Sequence, residues 1–177
     1  MSEAYDELVA RADGAMIVVT ACDGTELAGC VVGFHSQCGI DPPRHAVWLS
    51  KANHTYRVAL HSSHLAVHFL TVGDEAVASV FGELTGDSAD KFEMVEWSRG
   101  QEGTPLVTAL PNRFVGRRLT VLDVGHDHVC FVVGADEATC ADEFEPLRLS
   151  ALGELSPGHP AEERPVPADA SRSQTQG

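Results

Sequence analysis

A short apolar run that ends in a turn signal constrains the fold of this chain more than any other feature. Residues 15–21 read AMIVVTA, which is rich in β-branched residues and too short for a normal helix, so the run predicts a buried strand. Asp23-Gly24 follows and is a strong signal for a two-residue β-hairpin loop. The returning strand is expected over residues 26–35. Strand runs joined by hairpins favour an antiparallel barrel over a doubly wound parallel sheet.

The rest of the chain alternates short strand patterns with short helical patterns. Further strands are predicted at 45–51, 65–71, 105–109, 113–124 and 128–140. Helices are predicted at 3–13, 53–62, 74–81 and 88–95, and a polar loop at 98–104. Asn53 is a good N-cap for the second of these helices. The pattern predicts a mainly β fold with short peripheral helices.

Charge and composition exclude several classes of function. The 177 residues include 12 Lys and Arg against 26 Asp and Glu, a formal charge of −14, which disfavours binding to nucleic acid or anionic lipid. No apolar run approaches the ~20 residues that cross a bilayer, and the N-terminus does not look like a signal peptide, so a cytoplasmic protein is expected. Residues 1–153 are predicted to form one domain, and the proline-rich residues 154–177 a disordered tail.

Neither the cysteines nor the histidines have a spacing typical of a metal site. The odd number of cysteines and the lack of a CxxC pair predict free thiols, of which the first three read as small buried side chains. The cysteines are Cys22, Cys30, Cys38, Cys130 and Cys140. His61, His64 and His68 would share one face of a helix, but Ser62-Ser63 and the strand pattern that follows break it. No metal is expected, and the usual glycine-rich dinucleotide and triphosphate loops are absent from the sequence.

Polar and glycine residues concentrate at 29–57. Gly29, Gly33 and Gly39 punctuate a predicted strand and its exit, where glycine often marks close approach of the backbone to a ligand. Ser36 and Gln37 add polar side chains beside that backbone. Together they would form a suitable wall for a flat heterocycle with polar edges.

The segment from Ser50 to Arg57 places hydroxyl, amide and cationic groups at a strand end and a helix N-terminus. A helix N-terminus has N–H donors without intrahelical partners and a positive dipole end, so it favours phosphate. Lys51 and Arg57 are two of only 12 basic residues in the chain. The residues alone leave two interpretations open, a phosphate site or a capped helix with a solvated basic face.

The order of several motifs resembles the flavin reductase-like family of FMN-binding split barrels. This family includes the small reductase components of two-component flavin monooxygenases. The resemblance covers about residues 8–152. Its motifs are, in chain order, a Gly/Ser-rich strand exit, Asp41-Pro42-Pro43, Lys51-x-x-x-Thr55, LAVHFLT at 65–71, Phe81-Gly82, Lys91-Phe92, Trp97, Gly103-Thr104-Pro105-Leu106, Asp127-His128 and Pro146-Leu147.

The resemblance implies an antiparallel split β-barrel that forms a homodimer and binds FMN or FAD near the dimer interface. NADH or NADPH would dock over the flavin and transfer a hydride, and the reduced flavin would leave for a partner monooxygenase. Two alternatives stay open. One is a flavin-binding accessory or carrier protein without nicotinamide turnover. The other is an enzyme that holds its flavin tightly and oxidises a substrate of its own.

The resemblance also implies the residues of the site. The isoalloxazine would be lined by Val32, Gly33, Phe34, His35, Ser36, Cys38 and Gly39. The ribityl phosphate would be held by Ser50, Lys51, Asn53, His54, Thr55 and Tyr56. Lys91 and Phe92 lie where the family has a further flavin-side segment, and His128 would sit beside the nicotinamide. The sequence departs from the family at His35, a titratable group at the ring edge, and in reading Gly125-His126-Asp127-His128 for the family's G-D-H.

Overall fold

The computed structural model describes residues 3–84, 90–141 and 143–152. These ranges contain ten strands, three α-helices and three short 3-10 helices. The helices are α1 (Glu3–Ala12), α2 (His54–His61) and α3 (Glu75–Glu83). The strands are β1 (Ile17–Cys22), β2 (Leu27–Val32), β3 (His35–Gly39), β4 (Arg44–Ser50), β5 (His64–Phe69), β6 (Trp97–Arg99), β7 (Pro105–Val107), β8 (Arg113–Leu122), β9 (His128–Gly134) and β10 (Glu137–Thr139). The predicted domain of residues 1–153 stays a prediction, and its predicted tail, 154–177, lies outside the described residues.

One antiparallel sheet carries the fold, which confirms the predicted mainly β class. Its strand order is β2-β1-β5-β8-β9-β4-β3, with β10 added on β8, while β6 and β7 form a separate ribbon. Within the described residues β2 and β3, at the two ends of this order, do not pair, so the barrel is not closed. The first half of β8 pairs with β5 and the second half with β9, which divides the sheet into two ladders.

The backbone crossing between β8 and β9 depends on a glycine. A Cβ atom at Gly116 would collide with the carbonyl of Gly134, so only glycine allows β8 to pass this close to β9. Val133, the neighbour of Gly134, pairs with Arg118 just beyond the crossing. β8 therefore changes its partner from β5 to β9 at the same point where its backbone comes closest to β9.

Two apolar clusters flank β1, which is buried along its whole length. Ile17 and Val19 face a cluster with Leu65, Phe131 and α2, whereas Val18 faces a second cluster with Phe81 from α3. Strands that are buried on both faces read as continuous apolar runs rather than alternating ones. This double burial explains the run at 15–21.

The predicted hairpin forms, but two of its details are wrong. The last strand pair is Cys22 with Leu27, so the turn covers residues 23–26 and not Asp23-Gly24 alone. The Asp23 amide donates to the Glu26 carbonyl at 3.3 Å, and the Asp23 carboxylate accepts from the Thr25 and Glu26 amides. The predicted return strand over 26–35 is also interrupted. β2 ends at Val32 and β3 begins at His35, because the chain here changes its partner from β1 to β4.

Three other segments differ from their predictions. Part of the predicted loop at 98–104 is β6 and a 3-10 helix, Gln101–Gly103, because Trp97–Arg99 pairs with β7. The predicted strand over 128–140 breaks at Asp136, whose amide donates to the Val115 carbonyl and whose carboxylate accepts from the Arg117 amide. Of the predicted helix at 88–95, the described part forms only a 3-10 turn, Lys91–Glu93, and residues 85–89 lie outside the described residues.

The cysteines are free thiols, as predicted, but their burial differs. Cys22 and Cys30 are buried, whereas Cys38 on β3 is exposed, so the prediction that it is buried is wrong. His68 is fully buried on β5, where Nδ1 donates to the Val18 carbonyl and Nε2 accepts from the Val107 amide. None of the helices in the described ranges is long and apolar enough to cross a membrane.

Candidate functional site

A cavity of about 470 Å³ lies beside β2 and β4. Its wall is mostly apolar and comes from α1, β2, β4, α3 and the start of β9. Ser50, Asn53 and His128 bring polar side chains to it. Ligand sites are typically mostly apolar clefts of about 300–1,000 Å³ with a few placed polar groups. This cavity is therefore the candidate site, and it contains six of the residues that the sequence predicts: Val32, Gly33, Phe34, Ser50, Asn53 and His128.

The break between β2 and β3 shapes one side of the cavity. A Cβ atom at Gly33 would come within 3.3 Å of Met16 Sδ, another residue of the wall, so glycine leaves the backbone bare there. The carbonyl of Phe34 accepts a hydrogen bond from the Trp48 amide at 2.9 Å, which holds the break against β4. The predicted close approach of backbone to ligand is available at Gly33.

An aromatic pair forms the rim of the cavity. Phe34 is 59% exposed, and its ring lies 5.2 Å from the ring of His128 with a tilt of 59°. The Asp127 carboxylate lies 3.1 Å from His128 Nδ1, and this hydrogen bond lowers the pKa of Asp127. The structure thus brings together a residue predicted for the isoalloxazine and the residue predicted for the nicotinamide.

The polar end of the cavity is the turn from β4 into α2. Asn53 is the N-cap predicted from the sequence, and its side chain accepts from the Thr55 amide at 3.0 Å. Ser50 Oγ accepts from the Ala52 amide at 3.3 Å. These two caps fix the turn, and they place the positive end of the α2 dipole beside the cavity.

Lys51 lies within this turn, between Ser50 and Asn53, but it is not among the residues that line the cavity. The turn between β8 and β9, residues 123–127, contacts it on two sides. Its Nζ lies 3.1 Å from Asp123 Oδ2, and its amide donates to the Asp127 carbonyl at 2.8 Å. The amide of Gly125 donates to the other oxygen of Asp123, and this bond, followed by the contact with Lys51, lowers the pKa of Asp123. The sequence analysis identified Lys51 but not Asp123. The only local sign of Asp123 is its position two residues before Gly125, which is typical of a turn.

The other residues predicted for the phosphate face different surroundings. His54 Nε2 lies 3.0 Å from Glu26 Oε1, and His54 Nδ1 lies 2.8 Å from an Arg57 nitrogen. Thr55, in the first turn of α2, is buried. Tyr56 packs on Phe131, and burial followed by the charge of Asp123 raises its pKa. None of these side chains lines the cavity itself.

Lys91 and Phe92 lie behind the cavity wall and not on it. Lys91 is buried, and its ammonium donates to the carbonyls of Gly29 and Phe81 at 2.9 and 3.0 Å. Burial lowers its pKa. Phe92 packs between Phe81 and Trp97 in the second apolar cluster. A direct flavin contact by either residue stays a prediction.

The residues predicted on β3 also lie outside the cavity wall. His35 Nε2 donates to the Ala15 carbonyl at 2.9 Å, so its Nδ1 accepts from His45 Nε2 at 3.1 Å. Burial lowers the pKa of both rings, and that of His45 falls to about 4. Ser36 and Cys38 are exposed on the edge strand, and Gly39 follows them at its end.

Three known proteins with similar sequences carry names of flavin reductases or of a reductase subunit. The chain is 26% identical over 145 residues to a probable flavin reductase of Rhizobium meliloti, covering 80% of this chain and 43% of that one. It is 28% identical over 149 residues to the stachydrine N-demethylase reductase subunit of the same organism, covering 82% and 59%. It is also 26% identical over 142 residues to the FMN reductase (NADH) SmoA of Agrobacterium fabrum, covering 78% of each. The chain thus spans about half the length of the first two relatives.

A solved structure and a family model complete the comparison. The fold matches a flavin reductase domain protein from Arthrobacter with a TM-score of 0.75 at 19% identity, over 94% of this chain and 96% of that one. This likeness confirms the predicted antiparallel split-barrel class, although β2 and β3 do not close the barrel. The model of the flavin reductase like domain matches residues 10–151. The chain therefore belongs to the flavin reductase like domain family.

Proposed function

We propose that the protein is an NAD(P)H-dependent flavin reductase that binds FMN or FAD and supplies reduced flavin to a partner monooxygenase. The observation that carries this proposal is the cavity between the Phe34–His128 rim and the N-cap of α2. A flavin nucleotide needs an apolar slot for its rings and positive potential for its phosphate. The cavity offers the first along β2 and the second at Asn53.

The residues present fit a flavin. Val32 and the bare backbone at Gly33 would face the ring system, while Ser50 and Asn53 would bind the tail. When bound, the flavin supplies the hydride chemistry, so the protein needs no general acid or base for that step. Phe34 and His128 would orient a second planar ring at the rim, and the Asp127 carboxylate holds the His128 ring in place. Orientation of two rings in contact can supply much of the rate.

The partner and the assembly are part of the proposal. The relative that is a reductase subunit of an N-demethylase supports a role beside an oxygenase component. The resemblance further implies a homodimer with the flavin near its interface. The exposed Phe34 ring at the rim is consistent with a surface that a second ring or a second chain covers.

An anaerobic assay tests this function directly. The protein is mixed with FMN and NADH, then with FMN and NADPH, and the visible absorbance of the flavin is followed. We expect bleaching faster than in the protein-free control with at least one donor. No bleaching, with FMN fluorescence still quenched, would instead favour the flavin carrier without turnover. No bleaching and no quenching would refute both.

A further inference from the structure

Lys51, which the family resemblance assigns to the flavin phosphate, lies between Ser50 and Asn53 of the cavity wall and already has an anionic neighbour. Lys51 Nζ lies 3.1 Å from Asp123 Oδ2. The two residues are 72 positions apart in the sequence, on β4–α2 and β8–β9 respectively. A phosphate that approaches Lys51 therefore meets a carboxylate as well as an ammonium group.

Both members of this pair are held in place by backbone contacts. The Gly125 amide donates to Asp123 Oδ1 at 2.8 Å, and this bond fixes the carboxylate independently of Lys51. The Lys51 amide donates to the Asp127 carbonyl, which docks the two turns onto each other. Because the Gly125 amide already holds the Asp123 carboxylate, the ion pair costs less side-chain entropy than an unsupported surface pair.

The pair is also only partly screened. The Lys51 side chain is 13% exposed, whereas that of Asp123 is 45% exposed. Two charges near a protein surface interact more strongly than they do in bulk water, and added salt screens this interaction. The influence of Asp123 on a phosphate should therefore be measurable at low ionic strength.

We propose that Asp123 is a specificity-determining residue that sets how strongly the site responds to negative charge on the tail of the flavin. This inference rests on the proposed function. A terminal phosphate carries about −1.5 to −2 charge at neutral pH, so it must share Lys51 with Asp123 or displace it. A flavin without phosphate meets no such competition. Asp123 thus reduces the advantage of a phosphorylated tail over an uncharged one.

The variant Asp123→Asn tests the proposal with little change in structure. Its amide oxygen can still accept from the Gly125 amide, so the turn is kept while the charge is lost. Dissociation constants of FMN and riboflavin are measured by quenching of flavin fluorescence at low salt. We expect the FMN constant to fall about 3- to 10-fold and the riboflavin constant to stay unchanged. High salt should remove most of the difference.

A matched control and a second background sharpen the test. Asp136→Asn removes the same charge from a side chain of similar exposure, 43%, beyond the opposite end of β9, and should change neither constant. In a Lys51→Gln background the gain from Asp123→Asn should shrink, since no cation is left to release. Asp123→Ser also keeps a turn-forming oxygen and should reproduce the effect.

Each other outcome has a definite meaning. Equal tightening of FMN and riboflavin would show that Asp123 acts through the shape of the turn, and it would overturn the proposal. An unchanged FMN constant, or the same gain from Asp136→Asn, would overturn it as well. If the wild type binds neither flavin, the proposed function fails. If the wild type binds FMN and Asp123→Asn binds it equally well, only the role of Asp123 is overturned.

Discussion

Acid should destabilise this protein through one buried histidine. His68 is fully buried, and both ring nitrogens are used by the backbone, with Nδ1 donating to Val18 and Nε2 accepting from Val107. Protonation would place a second N–H against the Val107 amide inside the core. Burial, the largest cause, lowers the pKa of His68 to about 3 from an ordinary value of 6.5.

The sign and size of the effect follow from linkage. Because the pKa is lower in the folded state, the unfolded chain binds the proton more readily. The free energy of unfolding is therefore fully retained above pH 6.5 and falls as the pH drops toward 3. The slope is about 1.4 kcal/mol for each pH unit, so about 2–3 kcal/mol is lost at pH 4.5. His45, with a pKa of about 4, adds a loss of the same sign.

Urea unfolding between pH 7.5 and 4.5, followed by tryptophan fluorescence, measures this loss. His68→Gln should lower the free energy of unfolding at pH 7.5 because it loses the hydrogen bond to Val18. As the pH falls, the free energy of unfolding of this variant should decrease less steeply than that of the wild type. The difference between the free energies of unfolding of wild type and His68→Gln should shrink by about 1.4 kcal/mol for each pH unit below 6. His126→Gln, on an exposed turn, serves as the control and should follow the wild type. Parallel curves for His68→Gln and wild type would refute the reasoning.

Three further substitutions test the fold and the rim. Phe34→Ala should raise the KM for the nicotinamide donor more than it raises the dissociation constant of FMN, whereas a larger effect on FMN would place Phe34 against the flavin instead. Gly116→Ala should cost at least about 3 kcal/mol or prevent folding, while Gly134→Ala, with no contact nearer than 3.6 Å, should be far milder; similar urea midpoints would contradict the close crossing. Lys91→Met should lower the free energy of unfolding by about 1–3 kcal/mol, since the Gly29 and Phe81 carbonyls lose their donor, and an unchanged value would mean that water replaces it.

The sequence predicts those parts of the fold that local patterns determine. The run at 15–21 predicts β1 because a strand buried on both faces needs apolar residues at every position. Asn53 predicts the start of α2 because a cap acts on the next two residues. Local patterns do not predict the interruption at residues 33–34. The residues of β2 and β3 together read as one continuous strand, and the two strands differ only in their pairing partners, β1 and β4.

The same limit applies to the candidate site. Val32, Gly33 and Phe34 are contiguous with a recognisable strand, so the resemblance carries them into the cavity wall. Lys91 has the residue type of a ligand contact, but the fold uses its ammonium to satisfy two buried carbonyls. Asp123 could not be paired with Lys51 from the sequence, because the contact depends on how two distant turns dock.

The shared strand β8 has a consequence for how the molecule opens. Residues Arg113–Arg117 pair with β5, and Arg118 and residues 120–122 pair with β9, so one continuous strand belongs to both ladders. Neither ladder can separate without loss of order in β8, which the other ladder also needs. Amide hydrogens at the middle of β8 should therefore exchange with solvent only in global unfolding, and the two halves of the sheet should melt as a single cooperative unit.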